Sequence, residues 1–211
     1  MKISVAKSAA LCAALLLACV PSRPQADAAR EWTDKHFAAA FEEFFPVRHA
    51  EGDFIAVRAH QNGSNMAPEF SFILENTQDS RAIRGTLREA QGASLFQQLA
   101  ALHAKDAAKS YADVKPSLHV ATWSFSVSQC PAVLAQYTAF ENIQFVRPRD
   151  DDDVEENPIV YEINETVAGG SSQVIEFNPA RAIPRWAAAT HAALHACAVA
   201  ASAAESDKKG P

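Results

Sequence analysis

His119-Val-Ala-Thr-Trp-Ser-Phe-Ser-Val-Ser-Gln-Cys-Pro131 decides how this chain folds, because a strand in it runs directly into the start of a helix at a cysteine. Ala121, Trp123, Phe125 and Val127 alternate with Thr122, Ser124 and Ser126, the period-two pattern of a strand with one buried and one wet face. Ser128 is placed to cap the following helix, and Pro131 falls in its first turn, where a missing N–H has no bond to lose. No glycine-rich phosphate loop separates strand from helix. Cys130 marks the junction, and its expected partner is Cys197, far along in the last helix.

Working back from that corner, three strands are expected over 53–60, 69–75 and 82–88, joined by turn chemistry at Gln61-Asn62-Gly63-Ser64 and Asn76-Thr77-Gln78-Asp79-Ser80. They read as an antiparallel meander. In the third, Ile83, Gly85 and Leu87 share one face, and Arg84, Thr86 and Arg88 share the other, which is wet or paired with acids. Before the meander, Thr33 reads as the N-cap of a helix ended by Pro46, with Trp32 stapled on Phe37 and a stripe of Phe37, Phe41, Phe44 and Phe45 turned to a sheet. After it, Ser94 caps a helix running to about Lys109 with Leu95, Leu99 and Leu102 inward.

Working forward, the helix from Pro131 to about Asn142 carries Val133, Leu134, Tyr137 and Phe140 inward. Ile159, Tyr161 and Ile163 begin a hairpin that returns through Val174 to Phe177, with Gly169-Gly170-Ser171-Ser172 as its turn. Pro184 starts the last helix, expected to run to about Ala204. These readings predict a single α+β domain over 31–204: an antiparallel sheet of about six strands, about four helices packed largely on one face, and one disulfide, followed by a disordered tail over 205–211.

The beginning of the chain is not part of that domain. Lys2 and Lys7 precede an apolar run from Ser8 to Val20 and then Pro21-Ser22-Arg23-Pro24, the layout of an export signal. The run is shorter than the roughly 20 residues of a membrane span. Ala26-Asp27-Ala28 fits ordinary signal cleavage, giving a signal over 1–28. Leu16-Leu17-Ala18-Cys19 instead resembles the lipobox of bacterial lipoproteins, with a signal over 1–18, a tether over 19–30 and Cys19 as the lipidated residue, although Leu17 is not the small residue usual there. Both readings place the domain outside the cytoplasm, periplasmic or secreted, with the membrane reached only through a lipid anchor. Of the four cysteines, Cys12 leaves with the signal and Cys19 is removed or lipidated, so Cys130 and Cys197 remain as one disulfide.

Cleavage after Ala28 leaves 183 of the 211 residues and, by removing Lys2, Lys7, Arg23 and Asp27, takes the net charge from -6 to -8. That argues against nucleic acid and anionic lipid as partners. The acids concentrate in Asp150, Asp151, Asp152, Asp153, Glu155 and Glu156, an expected exposed loop suited to steering a basic protein partner. The run has carboxylates at calcium-loop spacing, but Glu156 stands where glycine must turn the chain, and a strand follows where a helix is required.

His191-Ala-Ala-Leu-His195 has the spacing of a zinc-binding His-x-x-x-His helix, with Ala192 in place of the catalytic Glu. Counted from Trp186, both histidines point away from the core, so a solvated pair is expected and no metal or other cofactor is assigned. No serine sits in a nucleophile elbow, and the acids Glu42, Glu43, Glu75, Glu162 and Glu176 supply possible carboxylate pairs without a frame that selects one. No catalytic residue is assigned. The function expected is that of an exported, non-enzymatic protein-binding domain of the inhibitor or immunity type. The alternatives are a small envelope hydrolase with a spatially assembled site, or a structural or solute-binding lipoprotein.

Overall fold

The alternating strand pattern is realised as a six-stranded sheet in which every neighbouring pair is antiparallel. The protein's computed structural model describes residues 23–47, 53–61, 69–77, 82–140, 142–143, 159–167, 170–176 and 181–208. Its helices are α1 (Arg23–Phe44), α2 (Leu95–Lys105), α3 (Tyr111–Val114), α4 (Pro131–Phe140) and α5 (Ala182–Lys208). The strands are β1 (Asp53–Gln61), β2 (Phe70–Thr77), β3 (Ala82–Ala90), β4 (Val120–Ser126), β5 (Ile159–Val167) and β6 (Gly170–Glu176), in the order β4-β3-β2-β1-β5-β6. The meander β1-β2-β3 forms the middle, β4 extends it beyond β3, and the β5-β6 hairpin extends it beyond β1.

Helices cover both faces, whereas the sequence placed them largely on one. On the first face, Ile55, Val57, Phe72, Leu74, Leu87 and Ile163 pack against Val133 and Phe140 of α4 and Trp186, Leu194 and Ala198 of α5. On the second, Phe41 of α1, Phe45 just past its end, and Leu95 and Leu99 of α2 close over Ala90. The signal for two-sided cover lay in β1, where residues 54–59 are all buried. A strand covered on both faces shows a run of burial instead of alternation.

The opening corner forms with one change. Trp123 and Phe125 pack on the first core, while Thr122 and Ser124 are exposed. The chain then makes a short 3-10 turn over Val127–Gln129, and the amides of Val133 and Leu134 bond to the Cys130 carbonyl. Cys130, not Ser128, therefore stands at the helix start. The disulfide Cys130–Cys197 joins it to α5 with a Cα–Cα distance of 6.0 Å. Trp186 adds a second tie, donating from Nε1 to the Gln136 carbonyl at 2.8 Å. Leu134, expected inward, is 43% exposed. Gly85 faces Phe125 so closely that an added Cβ would lie 2.7 Å from the ring, so the aromatic covers the backbone where β3 lacks a side chain.

Other boundaries move for local reasons. The helix α1 begins at Arg23, not at Thr33, whose Oγ1 donates back to the Ala29 carbonyl at 2.8 Å as a residue within a helix does. Ser94 caps α2 as expected, its Oγ accepting from the Gln97 amide while the Gln97 side chain accepts from the Ser94 amide. That helix stops at Lys105, before the expected Lys109, and α3 follows. Gly92, at φ +74°, makes the bend between β3 and Ser94, a conformation that favours glycine. Val167 pairs with Gly170, so the β5-β6 turn lies earlier than expected, and Gly170 to Ser172 belong to β6. The last helix continues to Lys208, into the stretch read as a tail. Among the described residues no helix is long and apolar enough to cross a membrane.

Candidate functional site

The alternation of β3 continues past Leu87, which puts Glu89 on the same inward face at the end of the strand. Only 7% of Glu89 is exposed, so its carboxylate requires partners. They come from α5. His191 Nε2 lies 2.6 Å from Oε1, and His195 Nδ1 lies 2.9 Å from each carboxylate oxygen. The His191 ring also stacks on Phe70, centroids 3.7 Å apart and planes 4° from parallel, and Phe70 is the residue of β2 directly opposite Glu89. The expected solvated pair is therefore a carboxylate-bridged pair, with His191 27% and His195 52% exposed at the side chain.

The helical count went astray through its reference point. The buried residues of α5 include Ile183, Ala187 and Ala198 as well as Trp186, Thr190 and Leu194. At about 100° per residue their arc centres about 60° round from Trp186, which leaves His191 about 80° and His195 about 120° from the centre. Those angles belong to the margin of the buried face, where a side chain reaches the end of a neighbouring strand.

Burial works against charge on Glu89, but the hydrogen bonds and charges of His191 and His195 outweigh it and hold the carboxyl below its ordinary range. An ionised carboxylate only accepts. Both facing ring nitrogens must then carry hydrogen, His191 at Nε2 and His195 at Nδ1. In neutral His195 this tautomer leaves Nε2 with a lone pair, held in place by a buried anion. Glu89, His191, His195, Phe70, Gln91 and Ala192 line a cavity of about 530 Å3, together with Glu69 and Ala90.

Glu69 shows the opposite behaviour. It precedes Phe70 and so points to the other face of the sheet, where its Oε2 accepts from the Leu95 amide at 2.5 Å at the start of α2. Burial pushes its carboxyl up, more than the backbone hydrogen bonds pull it down.

No family model, curated protein or solved structure matches this chain. Cys130 and Cys197 form the bridge. Cys19 and the acidic run of Asp150, Asp151, Asp152, Asp153, Glu155 and Glu156 lie outside the described residues. Glu42 and Glu162 both bind the buried Arg58, at 2.7 Å and 2.6 Å from its Nη2. The Arg58 guanidinium also lies 4.9 Å over the Phe41 ring. Glu43 is engaged by Lys115 and Tyr111, and Tyr111 is pushed up to about 12 by burial and by that neighbouring charge. Arg88 reaches the Phe44 carbonyl at 3.5 Å, and Arg84 lies opposite Glu75 in the β2-β3 register. Among the described residues no group of three or more His, Cys, Asp or Glu side chains is arranged to hold a metal ion.

Glu89 is the residue the sequence reading missed. Ending β3 at Arg88 stopped the face pattern one residue short. The signal was there, since a carboxylate in register with Ile83, Gly85 and Leu87 is a buried charge and demands a partner.

Proposed function

We propose that this is an exported cell-envelope domain whose function is binding, and that its ligand enters the cavity beside Glu89, His191 and His195. The observation that carries this reading is one buried carboxylate fixing two imidazoles at the wall of a cavity. Its volume lies in the small-ligand range of about 300–1,000 Å3. Phe70 and Ala192 offer an apolar wall, and His195, its Nδ1 held by Glu89, has Nε2 as an acceptor. A ligand with an apolar body and an O–H or N–H head matches both. Titration with medium-chain primary alcohols and amines, followed by the backbone amide resonances of the lining residues Gln91 and Ala192, tests it. Saturable shifts that a His195→Gln variant no longer shows are expected; shifts that never saturate would remove the cavity as a ligand site.

Protein binding is a second reading, favoured by the acidic run from Asp150 to Glu156. Such a run raises the capture rate of basic proteins, and salt weakens the effect. Replacing Asp150 to Asp153 by asparagine is expected to slow association with a basic partner and to flatten its salt dependence. An unchanged rate and slope, measured by stopped-flow mixing, would show that the run steers nothing.

A further inference from the structure

We propose that the cavity is catalytic as well as receptive, with His195 Nε2 as a general base that activates water against an ester whose acyl chain lies along Phe70 and Ala192. This rests on the cavity being a ligand site and adds a reaction to it. The carboxylate–imidazole pair leads there. Glu89 holds the Nδ1–H of His195 at 2.9 Å, which fixes the tautomer that exposes Nε2 as a base. His191 differs, being stacked on Phe70 and directed at Glu89 through Nε2. It shares the buried charge and holds the carboxylate in place. Glu89 is thus a positioning residue, and His195 the catalytic one. The described residues lining the cavity include no serine, threonine or cysteine, so the nucleophile is water.

The step balances without any further reagent. A water O–H proton passes to His195 Nε2 as the water oxygen bonds to the ester carbonyl carbon, and the carbonyl electron pair moves to oxygen. The exposed Gln91 side chain lines the cavity, and with one Nε2–H directed at the Glu89 carbonyl at 3.5 Å its second N–H is the donor for that oxyanion. When the oxyanion collapses, the C–O bond to the alcohol breaks, and the leaving oxygen takes the proton back from Nε2. Ester and water become acid and alcohol.

The test uses the mature full chain with p-nitrophenyl acetate, butyrate and octanoate. Expected are saturable hydrolysis with a normal solvent deuterium isotope effect, a loss of about 100-fold or more in kcat for His195→Gln, as removal of a general base produces, and recovery by added imidazole in His195→Ala. Glu89→Gln lowers kcat and leaves KM, since it spoils the tautomer and not the apolar wall. The variant His119→Gln, an exposed histidine outside the cavity, keeps full activity and controls for catalysis by surface imidazole. Hydrolysis that His195→Gln retains, or that no added imidazole restores in His195→Ala, overturns the proposal. Saturable binding of medium-chain alcohols without turnover of any ester overturns catalysis and leaves the binding site standing. Absence of both removes the two together.

Discussion

Reduction of the Cys130–Cys197 bridge lowers the melting temperature by roughly 10 °C. The bridge closes a loop with a sequence separation of 67. Tethering that much chain in the unfolded state contributes about 4 kcal/mol in the chain-entropy account. A domain of this size moves by about 2–4 °C per kcal/mol. The loss is a large share of the roughly 5–15 kcal/mol that holds a domain together. Differential scanning calorimetry with and without reductant measures it. Alkylation of the denatured, unreduced protein followed by mass measurement gives the covalent state: labelling at Cys130 and Cys197 would mean that the bridge is absent. A form lacking residues 1–28 and made in a reducing cytoplasm is expected to accumulate poorly for the same reason.

Replacing Glu89 by glutamine costs about 1–3 kcal/mol at neutral pH, because two N–H donors lose a charged acceptor at a buried position and one meets an NH2 group instead. The partly exposed His195 places the cost below what a fully buried pair would give. The pH dependence has a definite sign. A carboxyl held below its ordinary value of about 4.5 contributes stability that is complete above that value and is lost as pH falls through its depressed folded value. The difference between native protein and variant therefore narrows on acidification. Glu69 behaves inversely: its carboxyl is raised, so its contribution is complete below the ordinary value and is lost as pH rises through the raised one. Urea titrations from acid to neutral pH on Glu89→Gln and Glu69→Gln separate the two. Parallel curves for native protein and Glu89→Gln would refute the assigned role of Glu89.

What could be read from the sequence divides by the range of the interaction. Turns, caps and alternation are local, which is why the strand at Val120–Ser126, the cap at Ser94 and the meander were legible. The disulfide was legible because elimination left two cysteines. The two-sided cover was legible only in the apolar run Phe54-Ile55-Ala56-Val57 of β1, and which helix takes which face was not, since contacts distant in sequence decide it. The site failed at its long-range member. The two histidines were seen as a pair, but their partner stands 102 and 106 residues earlier, at a position where one further step of the β3 alternation was needed.

That separation also orders the events by which the molecule comes together. A chain emerging from its N-terminus presents the β3 carboxylate long before the imidazoles that hydrogen-bond it, and the helix bearing them is the last described element to appear. Contacts so distant in sequence form late. Until α5 docks, Glu89 faces an uncovered apolar sheet, and that half-built face resists closing over a bare charge. A chain cut short before Ala182 therefore lacks both the α5 part of the first core and the described side-chain partners of its buried acid.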